Sequence, residues 1–349
     1  MHVLEAGEAS GARPALLLLH GFPELAYSWR KVMLPLAQAG YRVLAPDQRG
    51  YGRTTGWDGR YDGDLGSFRL TLLVRDAVQL LQNLGIDAVD AVIGHDFGSP
   101  VAAWCALLHP EIFRSVALLS APFAGPPATA VPPPDPVHAA LAALARPRKH
   151  YQWYYSTRAA ERDMLRCPQG LHAFLRAYFH VKSADWKQNR PHELASWSAT
   201  ELAKMPTYYI MEQGEDMAQT VAPHLPDAAS IAACAWLPED ELRVYSSEFG
   251  RTGLQAALQW YRCRTTGRFN DDLAAHAGER IEVPACFIAG ASDWGPFQIP
   301  GALKTMRTAV FADDRGCHFI EGAGHWVQQE QPAQVAQRLL EFLPRSQSA

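Results

Sequence analysis

Between Ala15 and Leu119 the chain alternates short apolar runs with stretches of helical period. ALLLLH, YRVLAP, AVIGH and SVALLS have the length and near-continuous hydrophobicity of strands covered on both faces. From about Leu70 to Gly85, between the second and third of them, Leu72, Leu73, Val74, Ala77, Val78, Leu81 and Leu84 fall on one broad side of a helix. Gly85 stands where a helix C-terminus favours a left-handed residue. Strand and helix in alternation predict a mostly parallel sheet flanked by helices, an α/β fold.

The alternation breaks at Pro122. The fifteen residues to Pro136 hold seven prolines, which neither a helix interior nor a central strand accepts. From there to about Cys263 the chain is rich in Tyr, Trp, Arg and helix formers, as in HYQWYYSTRAAERDML, GLHAFLRAYFHV and GRTGLQAALQWYRC, without strand alternation. A helical insertion is expected. Strand character resumes in VPACFIAG and GCHFIEGAG, and a helix from about Pro332 to Leu343 closes the pattern. The expected division is a core of residues 1–123 and 264–349 carrying an inserted helical domain of residues 124–263.

Composition narrows the function classes. Of 349 residues, 48% are apolar and 19% charged, enough for a sizeable core and too few charges for a disordered chain. With 32 basic and 36 acidic residues the net charge is -4, which gives no basic field for nucleic acid or an anionic membrane. MHVLEAGEAS lacks the basic start and apolar core of an export signal, and no run reaches membrane-spanning length. The six cysteines are scattered without C-x-x-C spacing and read as free thiols, so a cytoplasmic protein is expected.

Gly94-His95-Asp96-Phe97-Gly98 follows a strand and opens the helix SPVAAWCALL, the strand-turn-helix of a nucleophile elbow with Asp96 in the nucleophile's place. Flanking glycines relieve crowding where that residue's backbone is strained. His20-Gly21-Phe22-Pro23, after the first core strand, presents the Phe22 N–H, which with the Phe97 N–H makes a candidate oxyanion hole. His20 itself reads as a structural residue holding that loop. Gly322-Ala-Gly-His325-Trp326, past the last strand, offers the best-placed general base of thirteen histidines, with His318 in the run CHFI as its nearest rival. Asp293 ends the preceding strand and is the acid to orient His325, since the loop after SVALLS offers only Ala121 and Pro122. Asp96, Asp293, His325 is the chain order of nucleophile, acid and base in α/β-hydrolase triads.

On these residues, from about Leu16 to Leu343, the chain resembles the α/β-hydrolase superfamily and, within it, the epoxide hydrolases. HGFPE is similar to their HG-x-P motif, which implies a cis Phe22-Pro23 bond; GHDFGS is similar to their nucleophile motif, with Phe97 where Trp is common. HYQWYY and LQWYRC resemble the lid segments that carry two tyrosines, which implies Tyr151 and Tyr261. PTYYIMEQG is a similar context for Tyr208 and Tyr209, and Tyr209 is the alternative for one of the pair. The fold implied is the α/β-hydrolase fold with a helical cap, and the whole-chain pattern also resembles epoxide hydrolases of bacterial aromatic polyketide biosynthesis.

The chemistry follows from the nucleophile. A carboxylate is ionised at neutral pH, so Asp96 can displace at an sp3 carbon without a base to deprotonate it. The resemblance implies that Asp96 opens an epoxide while Tyr151 and Tyr261 hold and protonate its oxygen, and that His325, oriented by Asp293, activates water against the resulting ester. The expected partners are a small-molecule epoxide and water, with no metal or organic cofactor, no nucleic acid and no membrane; homo-oligomerisation is left open. Trp153, Tyr154, Trp186 and Tyr209 are expected to line the pocket, and so aromatic a cap suggests a bulky aromatic epoxide. A dehalogenase would share the nucleophile and histidine, but its usual Trp or Arg after the nucleophile is replaced by Phe97, which has no side-chain donor. A non-catalytic binding protein on the same fold would need no nucleophile, acid and base together.

Overall fold

The computed structural model describes residues 1–8, 14–131 and 135–343. Among them the strands, in chain order, are β1 (Val3–Ala6), β2 (Ala15–Leu19), β3 (Arg42–Pro46), β4 (Ala91–His95), β5 (Val116–Leu119), β6 (Arg148–His150), β7 (Ile210–Glu212), β8 (Ile281–Gly290) and β9 (Phe311–Ile320). Seven of these make one sheet in the order β1-β3-β2-β4-β5-β8-β9. Every neighbouring pair in it is parallel except β1 on β3, which is antiparallel. The edge strand β1 has no counterpart among the expected strands, because its four residues are too few to show a period.

β2 and β4 are buried along their whole length, as continuous apolar runs require of strands covered on both faces. Their side chains alternate between two cores. Leu16, Leu18 and Ile93 join Trp29, Val32, Leu36, Val335 and Leu339, the last four carried by the helices α1 (Arg30–Gln38) and, at the far end of the chain, Pro332–Phe342. Leu17, Leu19 and Val92 face the other way, toward α2 (Leu70–Asn83) and α3 (Gly98–Leu108). Gly85, just beyond α2, has a φ of +67°, the left-handed value expected of it.

The segment after β5 carries α4 (Val137–Ala142), α5 (Tyr151–Tyr155), α6 (Ala159–Leu165), α7 (Gly170–Lys182), α8 (Ala199–Leu202), α9 (Met217–Val221), α10 (Ala228–Ala233), α11 (Glu239–Thr252) and α12 (Gln255–Thr266). It is not wholly helical. β6 and β7 pair antiparallel within it, Arg148 opposite Glu212 and His150 opposite Ile210. Three-residue strands are too short for their alternation to register in a sequence. Pro132–Pro134 of the proline run lie outside the described residues.

Candidate active site

The nucleophile position is built by a backbone turn at the end of β4. Asp96 has a φ of +51°, strained for a residue with a side chain, and α3 begins two residues later. A Cβ at Gly94 would run into the Gly98 carbonyl, and one at Gly98 into the Leu19 carbonyl. Only glycine lets strand and helix approach so closely around the turn. Gly21 obeys the same rule, since a Cβ there would strike the Asp96 side chain. That closeness brings the Phe22 N–H to Asp96 Oδ1 at 2.9 Å. The Phe22-Pro23 bond is cis. His20 holds the loop from behind: its Nδ1 donates to the Gly21 carbonyl at 2.9 Å and its Nε2 accepts the Gln48 N–H at 3.1 Å. Phe97 caps α3 beside Gly21, its ring edge-on to Trp260 and Tyr261 at 5.2 Å each.

Two loops at the ends of β8 and β9 complete a line of three groups. His325 Nδ1 donates to Asp293 Oδ1 at 3.1 Å, and His325 Nε2 lies 3.2 Å from Asp96 Oδ2. Asp293 is fixed in turn by the Gly295 N–H at 2.7 Å. Both His325 and Asp293 are 1% exposed. Burial acts to raise the Asp96 pKa, but the contact with His325 and the charges of His325, Lys182 and His95 outweigh it and hold the carboxyl well below the usual range. His318, the rival base, lies on β9 against Gly316, away from this line.

Asp96 opens onto a cavity of about 490 Å³, within the usual range for small-molecule sites. Tyr151 at the start of α5 and Tyr261 in α12 line the same cavity, with ring centroids 6.1 Å apart. The Tyr151 hydroxyl donates to Gln298 Oε1 at 3.0 Å and accepts from Gln152 Nε2 at 3.1 Å. Burial raises both phenol pKa values and the Asp96 charge adds to it, so both keep their protons at neutral pH.

The α/β-hydrolase fold family matches residues 14–204. Epoxide hydrolase A of Mycobacterium tuberculosis is 34% identical over 98% of this chain and 94% of its own length. This chain belongs to the epoxide hydrolase family. A solved epoxide hydrolase from an endophytic Streptomyces superposes with a TM-score of 0.79 at 31% identity, covering 98% of this chain and 91% of that one. Epoxide hydrolase I of potato gives 0.74 at 28% identity, over 98% and 94%.

Within this epoxide hydrolase the structure redistributes the expected pocket residues. Trp153 lines the cavity, joined by Trp104, Trp197 and Trp260. Tyr154 and Trp186 do not: Tyr154 turns to Asp163 at 3.4 Å and lies under the Lys149 ammonium, while Trp186 packs edge-on against Tyr208 and His224. Tyr209 is 1% exposed and sits behind Tyr151 at 5.2 Å, with no atom on the cavity wall. Those three rings serve the packing of the inserted segment.

A buried pair that the sequence pattern does not disclose lies behind the site. Glu24 Oε2 accepts His95 Nδ1 at 2.6 Å and the Gly21 N–H at 3.1 Å, while its Oε1 takes the side-chain amides of Gln328 and Gln329 at 2.8 and 3.2 Å. His95 Nε2 then donates to the His325 carbonyl at 2.7 Å. Burial acts against charging either group, but their mutual attraction and hydrogen bond win, so the His95 pKa is raised and that of Glu24 lowered. The pair ties the Phe22 loop to the His325 loop. Glu24 ends HGFPE and His95 precedes Asp96, but partners so far apart in sequence give no common pattern.

Proposed function

We propose that this epoxide hydrolase converts an epoxide to a vicinal diol through a covalent ester of Asp96, and that its physiological substrate is a bulky, largely aromatic epoxide of the kind met in secondary metabolism. One observation carries the mechanism: Asp96 Oδ1 receives the Phe22 N–H at 2.9 Å while Oδ2 faces His325 Nε2 at 3.2 Å, in a cavity that Tyr151 and Tyr261 also line. Asp96 attacks an epoxide carbon, the C–O bond breaks, and a phenol of the pair protonates the leaving oxygen. Water then adds to the ester carbonyl with His325 taking its proton and Asp293 steadying the imidazolium. The oxyanion rests on the Phe22 N–H, joined in this reading by that of Phe97. No step calls for a metal or organic cofactor. The division belongs to the same proposal, residues 124–263 forming the cap over a core of 1–123 and 264–349, although α12 runs on to Thr266. The cytoplasmic setting rests on the free thiols.

For the substrate, the support is the wall of the cavity, which Phe97, Trp104, Phe123, Trp153, Trp197 and Trp260 line together with Asp96. Apolar burial at roughly 25 cal/mol per Å², with ring stacking added, favours a polycyclic ligand over a small one. The dehalogenase reading lacks support, because Phe97 offers no side-chain donor to a leaving halide. The expected kcat/KM falls steeply from a polycyclic aromatic epoxide to styrene oxide to epichlorohydrin, and acid-quenched samples of each carry one epoxide mass on the peptide containing Asp96. Equal or reversed kcat/KM values would remove the aromatic substrate, and an unmodified Asp96 peptide would remove the ester.

A further inference from the structure

Lys182 is the last residue of α7 and is 3% exposed. A buried ammonium ordinarily has a carboxylate partner, because taking an unpaired charge out of water is costly. Among the described residues Lys182 forms no salt bridge. Its Nζ has instead the Tyr178 hydroxyl at 3.4 Å and a cage of ring faces, with centroids at 4.8 Å for Tyr209, 5.1 Å for Tyr178, 5.6 Å for Trp326 and 6.0 Å for Tyr208. Rings so placed attract a cation without neutralising it. The backbone of the same residue is built into the site: the His325 N–H donates to the Lys182 carbonyl at 2.8 Å, and Gly324 packs so closely on that carbonyl that no Cβ would fit. The acids that feel this charge are Asp96, Asp293 and Glu24. Burial lowers the Lys182 pKa and these three carboxylates act against it. An amine without a salt-bridge partner among the described residues is therefore caged beside the loop that carries His325.

We propose that Lys182 is a positioning residue for the second half of the cycle, its caged ammonium stabilising the negative charge that builds on the Asp96 carboxyl when water attacks the ester. This rests on the Asp96 ester route proposed above. The two half-reactions move charge at Asp96 in opposite directions. During ring opening Asp96 begins as an anion and ends as a neutral ester, so a nearby cation favours the starting state and gives that step no help. During hydrolysis the oxygen of water bonds to Asp96 Cγ, one of its protons passes to His325, and the carbonyl π pair moves onto Oδ1. A neutral ester has become an oxyanion and His325 an imidazolium; Asp293 offsets the positive charge on His325, and the cation favours the oxyanion. On collapse the Cγ–O bond to the product breaks and the product oxygen takes the proton from His325. The carboxylic acid left on Asp96 then releases its own proton, which restores the phenol spent in ring opening. A cation fixed in place acts on this step selectively, without touching a reacting atom.

Single-turnover rapid quench with styrene oxide, read by intact-protein mass, separates the halves. In Lys182→Met the ester should form no more slowly than in wild type and should decay roughly tenfold more slowly, the factor that a differential charge interaction of one pKa unit amounts to. Lys182→Arg, which keeps the charge, should hold the wild-type balance between formation and decay. Ester formation itself reports a folded Asp96 site, so a damaged protein is not mistaken for a slow one. Equal losses in both halves, or an unchanged decay rate, would overturn the role of Lys182. An ester absent from wild type and variants alike would overturn the Asp96 route instead.

Discussion

His325→Gln should stop the enzyme at the ester. Asp96 remains an anion at neutral pH without help from a base, so the first half of the reaction survives the change. Activation of water does not, because Gln cannot accept the proton that His325 Nε2, 3.2 Å from Asp96 Oδ2, is placed to take. Loss of a positioned general base costs roughly 10²- to 10⁴-fold. After brief exposure to an aromatic epoxide, intact-protein mass spectrometry should show the variant heavier by one epoxide, with diol release slowed by that factor. Steady diol production at the wild-type rate would remove His325 from the mechanism.

The second large effect belongs to the tyrosine pair. Both phenols are held protonated by burial and by the Asp96 charge, which suits groups that must donate to an oxygen as it becomes negative. Tyr151 is aimed by Gln298 and Gln152, whereas the Tyr261 ring is wedged edge-on against Phe22, Phe97 and Tyr155. Either phenol alone should support partial ring opening. In Tyr151→Phe with Tyr261→Phe, ester formation should fall roughly 10²- to 10⁴-fold, the usual range for losing acid catalysis. Stopped-flow or rapid-quench rates on the two single variants and the double decide this. A double variant alkylated at the wild-type rate would dismiss the pair. Tyr209 is the poorer substitute, since among the described residues its buried hydroxyl has no hydrogen-bond partner and it does not line the cavity.

What the sequence discloses and what it withholds divide along physical lines. The central strands announce themselves because a strand covered on both faces must be apolar throughout, and the elbow does so because close packing around Asp96 forces glycine at positions 94 and 98. The strand-end loops holding Asp293 and His325 are short, and their order is legible. β1, β6 and β7 escape notice because three or four residues carry no measurable period. The aromatic residues of the inserted segment are the harder case. Trp153 faces the cavity, yet Tyr154, next to it on α5, faces Asp163, and a helix one turn long gives no periodicity to tell them apart. Gln298, Glu24, His95 and Lys182 act through partners that the sequence does not bring together.

The ester route stands or falls on where the oxygen of water first goes. In a single turnover carried out in ¹⁸O-labelled water with enzyme in excess over an aromatic epoxide, water attacks Asp96 Cγ, so the label should enter the Asp96 carboxyl and the first diol should contain none. Peptide mass analysis and product mass analysis of the same sample give both numbers. Solvent label in the first diol, with Asp96 unlabelled, would mean that water attacks the epoxide directly and that Asp96 never forms the ester.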